Sequence, residues 1–97
     1  MEVMEKQIEQ YLRRQVLAKN GLCMKLDSEK GQPDRLVLTP LGRHIFVEVK
    51  RRDGHLSPAQ VEYHRRLRER RHAVFVLWSF NDVDKFMKRY FPEVHDA

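Results

Sequence analysis

Thirteen residues separate Asp34 from Glu48, Pro33 directly precedes the aspartate, and Lys50 follows Glu48 with a single valine between them. Side chains alternate along a strand, so in a strand through Phe46-Val-Glu-Val-Lys50 the Glu48 and Lys50 side chains share one face, about 6.6 Å apart, while Val47 and Val49 face the other way. A carboxylate and an ammonium then point at the same small volume. An aspartate leaving a proline-containing turn, at the start of the neighbouring strand Arg35-Leu-Val-Leu-Thr39, can reach that volume too. Two carboxylates that hold a hard divalent cation, with a lysine beside them, are what metal-assisted phosphodiester hydrolysis requires. Taken singly, Asp34 is a turn residue and Glu48 and Lys50 are a solvated strand face. Their conjunction, on a strand whose alternate residues are apolar, favours a site in which Asp34 and Glu48 hold Mg²⁺ or Mn²⁺. Lys50 would then orient the attacking water or neutralise charge on the phosphate.

The elements that must position these groups follow from periodicity and punctuation. Residues 2 to about 20 lack Gly and Pro, and Met4, Ile8, Leu12 and Val16 recur at helical spacing, which predicts an amphipathic helix closed by Asn20-Gly21. Leu22 to Leu26 reads as a short apolar strand and Asp27 to Pro33 as a loop. Two strands, Arg35 to Thr39 and Arg43 to Lys50, join around Pro40-Leu41-Gly42. Ser57-Pro58 opens a second helix, serine as N-cap and proline at the first position, running to about Arg71 and burying Ala59, Tyr63 and Leu67. Ala73 to Trp78 is continuously apolar, as a strand covered on both faces must be. Asn81 or Asp82 then caps a last helix through Tyr90, with Val83, Phe86 and Met87 inward. The order is α-β-β-β-α-β-α. A helical crossover between the last two strands implies a parallel pairing, so the fold class is α/β with a mixed sheet flanked by helices.

Ninety-seven residues suffice for one domain, spanning 1–97. Lys plus Arg outnumber Asp plus Glu by 19 to 14, giving a net charge of +5 and favouring an anionic partner, of which nucleic acid is the usual one. Arg51, Arg52, Arg65, Arg66, Arg68, Arg70 and Arg71 crowd one stretch, opposed by Asp53, Glu62 and Glu69, and arginine suits forked contacts with phosphate. Cys23 is alone, which excludes a disulfide framework or a cysteine zinc site and makes a reducing compartment the default. The start carries no apolar signal region and no run approaches a membrane span, so a soluble intracellular protein with no membrane partner is expected.

Gln60 admits two readings. In Ser57-Pro-Ala-Gln60 it completes a capping box, and it also begins a stripe of Gln60, His64, Arg68 and Arg71 at helical spacing that could face the metal site at one end and phosphates beyond it. His44, His55, His64, His72 and His95 show no mutual metal-ligand spacing and read as solvated or phosphate-contacting. Arg51, Arg52, His64, Arg65, Arg68 and Arg71 are thus the candidate DNA contacts.

These residues carry a resemblance. Gly31-Gln-Pro-Asp-Arg35, the hairpin with Phe46-Val-Glu-Val-Lys50, Gly54-His-Leu-Ser-Pro-Ala-Gln60 and a glutamate-bearing first helix are together similar to the virus-type replication-repair nuclease (VRR-NUC) domain of the PD-(D/E)XK superfamily, over nearly the whole chain. The likeness is to the stand-alone form of phages and bacteria. It implies a restriction-endonuclease-like core, a Mg²⁺ or Mn²⁺ site and structure-selective cutting of DNA in a bacterial host's cytoplasm. Position by position, it implies Asp34 and Glu48 as ligands with the Val49 carbonyl beside them, Lys50 as catalytic, Gln60 as supporting, and a first-helix glutamate as a further acidic member. Glu9, which follows the inward anchor Ile8 in mid-helix, is the choice over Glu2 and Glu5. Gln32 occupies a slot where the family often carries a small apolar residue, a turn position without chemical duty. Stand-alone members resemble Holliday junction resolvases and are dimeric, so a homodimer acting on four-way DNA junctions is the leading expectation. Phe80, Phe86, Tyr90 and Phe91 near the C-terminus would supply apolar surface for such a dimer or else cover one side of the sheet. The competing readings are a flap, end-processing or restriction-type repair nuclease, and a non-catalytic DNA-binding module that keeps the nuclease fold.

Overall fold

Ile8, Leu12 and Val16, one helical turn apart, bury completely along one side of α1 (Glu5–Ala18) and set the floor of the fold. The computed structural model describes residues 2–93, so His95 lies outside the described residues. Met4, expected as the first inward anchor of this helix, is instead its half-exposed N-cap, with its amide donating to Gln7 Oε1 at 2.8 Å. Asn20 takes the left-handed conformation (φ 64°) and the Gly21 amide returns to the Val16 carbonyl at 2.9 Å, which stops the helix as the Asn-Gly pair predicts.

The remaining elements are β1 (Leu22–Lys25), β2 (Arg35–Leu38), β3 (His44–Val49), α2 (Pro58–Glu69), β4 (Val74–Leu77) and α3 (Phe80–Tyr90), in the predicted order α-β-β-β-α-β-α. The sheet runs β1-β2-β3-β4, antiparallel up to β3 and parallel between β3 and β4. The parallel step needs a crossover, and α2 provides it. Val37, Ile45, Val47 and Val49 project from one face into a core shared with α1 and with Val83 and Phe86 of α3. Each such buried aliphatic side chain stabilises the fold by about 1.5–3 kcal/mol relative to exposure. Phe46 and Glu48 project from the other face, where α2 lies.

β4 is an edge strand, yet it is covered on both faces as expected: α2 and α3 pack against it, Val74 is buried on the side of Phe46 and Leu77 on the side of Val49, with Phe75 and Val76 half-buried. Two local expectations change. Ser79, not Asn81 or Asp82, caps α3, its hydroxyl accepting from the Asp82 amide at 3.1 Å. In α2 the fully buried residue is His64, whereas Ala59, Tyr63 and Leu67 are half-buried, because what α2 covers is Glu48 and not an apolar patch.

Candidate active site

The strand register alone brings the two carboxylates together. Arg35 of β2 pairs with Val47 of β3, and one step further along the same antiparallel register Asp34 falls opposite Glu48. Directly opposed residues project from the same face with Cβ atoms about 5 Å apart. Asp34 is fixed there by the Val49 amide, which donates to its Oδ2 at 2.8 Å. The loop before it is shaped for this: Gly31 adopts φ 82° and packs so tightly on the backbone of Ala59, in the first turn of α2, that a Cβ would collide with the Ala59 carbonyl. Gln32 closes the loop from within, its Oε1 accepting from the amide and hydroxyl of Ser28 at 3.2 Å each, and Pro33 is fully buried. The glycine and proline of the Gly-Gln-Pro-Asp run therefore dock the aspartate against α2.

Glu48 is 1% exposed, an uncommon state for a carboxylate, and α2 supplies its partners. Gln60 Nε2 donates to Glu48 Oε2 at 3.3 Å, and His64 Nε2 lies 3.2 Å from Oε1. Both readings of Gln60 hold at once. Its Oε1 accepts from the Ser57 amide at 2.8 Å and its own amide donates to Ser57 Oγ at 3.1 Å, so the cap anchors the carbonyl end and aims the amino end at Glu48. His64, expected on the solvent side against phosphate, is instead 1% exposed beneath Glu48. One helical turn separates Gln60 from His64, which is why both reach the same carboxylate. The His64 Nδ1 atom is buried with no partner among the described residues, while Nε2 faces the Glu48 carboxylate, which, when ionised, can only accept and so favours the tautomer with the proton on Nε2.

The electrostatics are those of a crowded acidic pair. Burial and the neighbouring Glu48 carboxylate push Asp34 up to about 6, against the help of the Val49 amide and Lys50. Burial raises Glu48 as well. Lys50 lowers both carboxylates, and its ammonium forms no ion pair among the described residues. Burial, and then Arg68, hold His64 below its usual range, so it is neutral near pH 7. Among the described residues no three of His, Cys, Asp and Glu gather as a closed metal cluster. The donor set is two hard carboxylates whose mutual repulsion a cation would relieve, and it suits a small hard ion that keeps several waters. Asp34 Oδ1 and the Glu48 carboxylate would be the oxygens to hold it, with the Val49 carbonyl in the residue between Glu48 and Lys50.

Glu9 is placed differently from its expected role. Its Oε2 accepts from Arg35 Nη2 at 2.9 Å and from Nε at 3.3 Å. Arg35 projects from the sheet face opposite Glu48, being one residue from Asp34 along the strand. Both Glu5 and Glu9 raise Glu48, and the larger influence is that of Glu5, one turn earlier and exposed.

The arginine stripe also divides. Arg65 is held on the outer face of α2 by Glu62 at 2.7 Å and by Glu69 at 2.5 Å, and Arg51 pairs with Asp53 at 3.2 Å. Arg68 donates to the Val74 carbonyl at 3.1 Å. Arg71 lies beyond the helix in the left-handed region (φ 65°), beside His44 at the opposite end of β3 from Glu48. Arg52 is exposed and has no carboxylate partner among the described residues.

Comparison with known proteins gives a coherent result. A solved structure described as a VRR_NUC domain matches with a TM-score of 0.82 and 39% identity, over 90% of this chain and 97% of that one. "Putative nuclease p44" of Acyrthosiphon pisum secondary endosymbiont phage 1 is 39% identical over 79 residues, which is 79% of this chain and 85% of that protein. No family model matches the chain.

Proposed function

This chain belongs to the VRR-NUC domain family, and from that premise we propose that it is a Mg²⁺- or Mn²⁺-dependent endonuclease that hydrolyses phosphodiester bonds in branched DNA, four-way junctions above all. The observation that carries the reading is the convergence of Asp34, buried Glu48 and Lys50 at one end of the β2/β3 pair, with Gln60 of α2 completing the group. Binding alone gives no reason to bury two carboxylates side by side in a chain of net charge +5.

When bound, the divalent ion supplies Lewis acidity toward the scissile phosphate. Asp34 and Glu48 bind it through oxygens fixed in advance, one by the Val49 amide and the other by Gln60 and His64, so little reorganisation accompanies binding. Lys50, held near both carboxylates but bonded to neither, has its ammonium available to meet charge that builds on the phosphate oxygens in the transition state. Paired cuts across a junction need two such sites in fixed relation, which supports a symmetric homodimer as the acting species. A panel of synthetic flaps, blunt duplexes and four-way junctions incubated with Mg²⁺ tests the substrate class. Fastest cutting of the junction is expected; preference for flaps would keep a nuclease and remove the resolvase.

A further inference from the structure

Parallel strands leave a sheet at the same end, so the segments after β3 and after β4 emerge side by side. The Lys50 amide donates to the Leu77 carbonyl at 3.0 Å and locks the two exits together. Beyond that bond, Arg52, two residues after Lys50, and Trp78 and Phe80, just after Leu77, line a cleft of about 700 Å³ together with Val3 and Asn81. Its aromatic character is unlike the rest of that rim. Phe80 is 39% exposed although the other phenylalanines of the last helix and its C-cap, Phe86 and Phe91, are buried. Its ring is not loose: it packs edge-on against Tyr11, centroids 5.1 Å apart, and the Tyr11 hydroxyl is tied to Asp84. Arg52 brings a cation to the mouth; of the two acids also at the rim, Asp53 is already taken by Arg51 and Glu2 is exposed.

We propose that this Trp78–Phe80 cleft is a subsite for one unpaired nucleobase of the DNA strand whose phosphate lies at Lys50. A cleft of small-molecule dimensions that carries two aromatic side chains beside a cation matches a base joined to its phosphate, since stacking on aromatic faces is how proteins hold unpaired bases without reading sequence. Bases inside a continuous duplex cannot enter it, whereas a base in a single strand, or in a pair opened at a branch point, can be taken up at little unstacking cost. The cleft would thus give the site a physical basis for choosing branched over uninterrupted DNA. This inference rests on the reading of the chain as a DNA nuclease, but its test does not need cleavage.

Trp78 is the single tryptophan of the chain, so its fluorescence reports on the cleft directly. In chelator, where nothing is cut, titration with single-stranded oligothymidylate and with a flap duplex should quench Trp78 saturably, and a blunt hairpin duplex should not. The Asp34→Asn protein should quench as the wild type does. Phe80→Leu, which keeps apolar volume but loses the ring, should weaken binding of unpaired DNA on the order of 10-fold, the scale of one lost base stack, and leave blunt-duplex affinity unchanged. Equal quenching by blunt and unpaired DNA, no quenching, or emission that shifts with protein concentration alone would overturn the proposal, the last by showing that a second copy fills the cleft. Intact quenching without any cleavage would remove the nuclease reading and keep the subsite. Normal cleavage without quenching would do the reverse.

Discussion

Asp34 carries the most readable physical signature in the molecule. Its folded pKa is about 6, above the usual carboxylate value near 4, so the folded state holds the proton more tightly than the unfolded chain. Its contribution is therefore most favourable at low pH, declines as pH rises from about 4 to about 6, and becomes a full cost above that. Asp34→Asn, which still accepts from the Val49 amide, should raise the metal-free stability by about 1–2 kcal/mol at pH 7.5 after allowance for solvent screening, and give no gain below pH 4. Thermal melts of the two proteins at both pH values check this, and saturating Mg²⁺ should favour the wild type. His64→Leu keeps volume and removes the orphaned Nδ1 atom, but leaves Glu48 with Gln60 alone. It should weaken Mn²⁺ binding, read by paramagnetic titration, by about 10-fold, the usual scale for an outer partner of a ligand. Unchanged Mn²⁺ affinity in a folded variant would reduce His64 to packing. Asp34, Glu48 and Lys50 were legible because strand periodicity converts their spacing into a shared face. His64 was legible only in part: its turn-spaced relation to Gln60 pointed at the site, but a histidine in an arginine-rich helix reads as solvated until the burial of Glu48 is known.

Among the elements, α1 and α2 differ in how far their faces could be read. For α1 the apolar stripe was plain, yet the glutamates on its flank could be ranked only once Arg35 was seen to hold Glu9. Glu9→Gln should accordingly cost stability, about 1 kcal/mol for a half-buried pair, with cleavage largely kept. Glu5→Gln should leave melting unchanged and lower metal-dependent cleavage. Melting curves and single-turnover rates of both variants decide; a dead Glu9→Gln beside an active Glu5→Gln would restore Glu9 as the acidic member. In α2 the sequence shows a basic helix, but side-chain partners decide which arginines are free. Arg65 is occupied by two carboxylates and Arg52 by none among the described residues, so Arg52→Ala should lower the salt dependence of DNA binding by about 0.9 in log–log slope and Arg65→Ala by less. Equal slopes for the two would return α2 to the DNA face. The Ser79 cap was missed because Asn81 and Asp82 offer the same chemistry two and three residues later, and only backbone geometry chooses among them. The edge position of β4 was not legible, because a continuous apolar run reports cover on both faces and not which strand lies at the edge.

At the scale of the whole molecule, the predicted mixed sheet flanked by helices is what forms, since a parallel step reached through a helix leaves few arrangements that cover both faces. The C-terminal aromatics divide: Phe86 and Phe91 fill the core, Tyr90 packs on Phe75, and Phe80 is left open. Most of the apolar surface expected to drive association is therefore spent within the chain. What a dimer would cover was not legible, because an exposed aromatic serves a DNA cleft and a protein contact equally well. On the sheet face that carries Phe46 and Glu48, Leu22 and Met24 of β1 also stay exposed. The central claim is that Asp34 and Glu48 hold a divalent ion that cuts DNA, and the most direct measurement is the fate of a supercoiled cruciform plasmid under wild-type protein and Glu48→Gln, each with Mg²⁺ and with chelator. The account predicts that the wild type with Mg²⁺ linearises the plasmid by paired cuts in one encounter. Chelator or Glu48→Gln should leave it supercoiled, although the variant still binds it. Cutting by Glu48→Gln at the wild-type rate, or cutting by either protein in chelator, would contradict it.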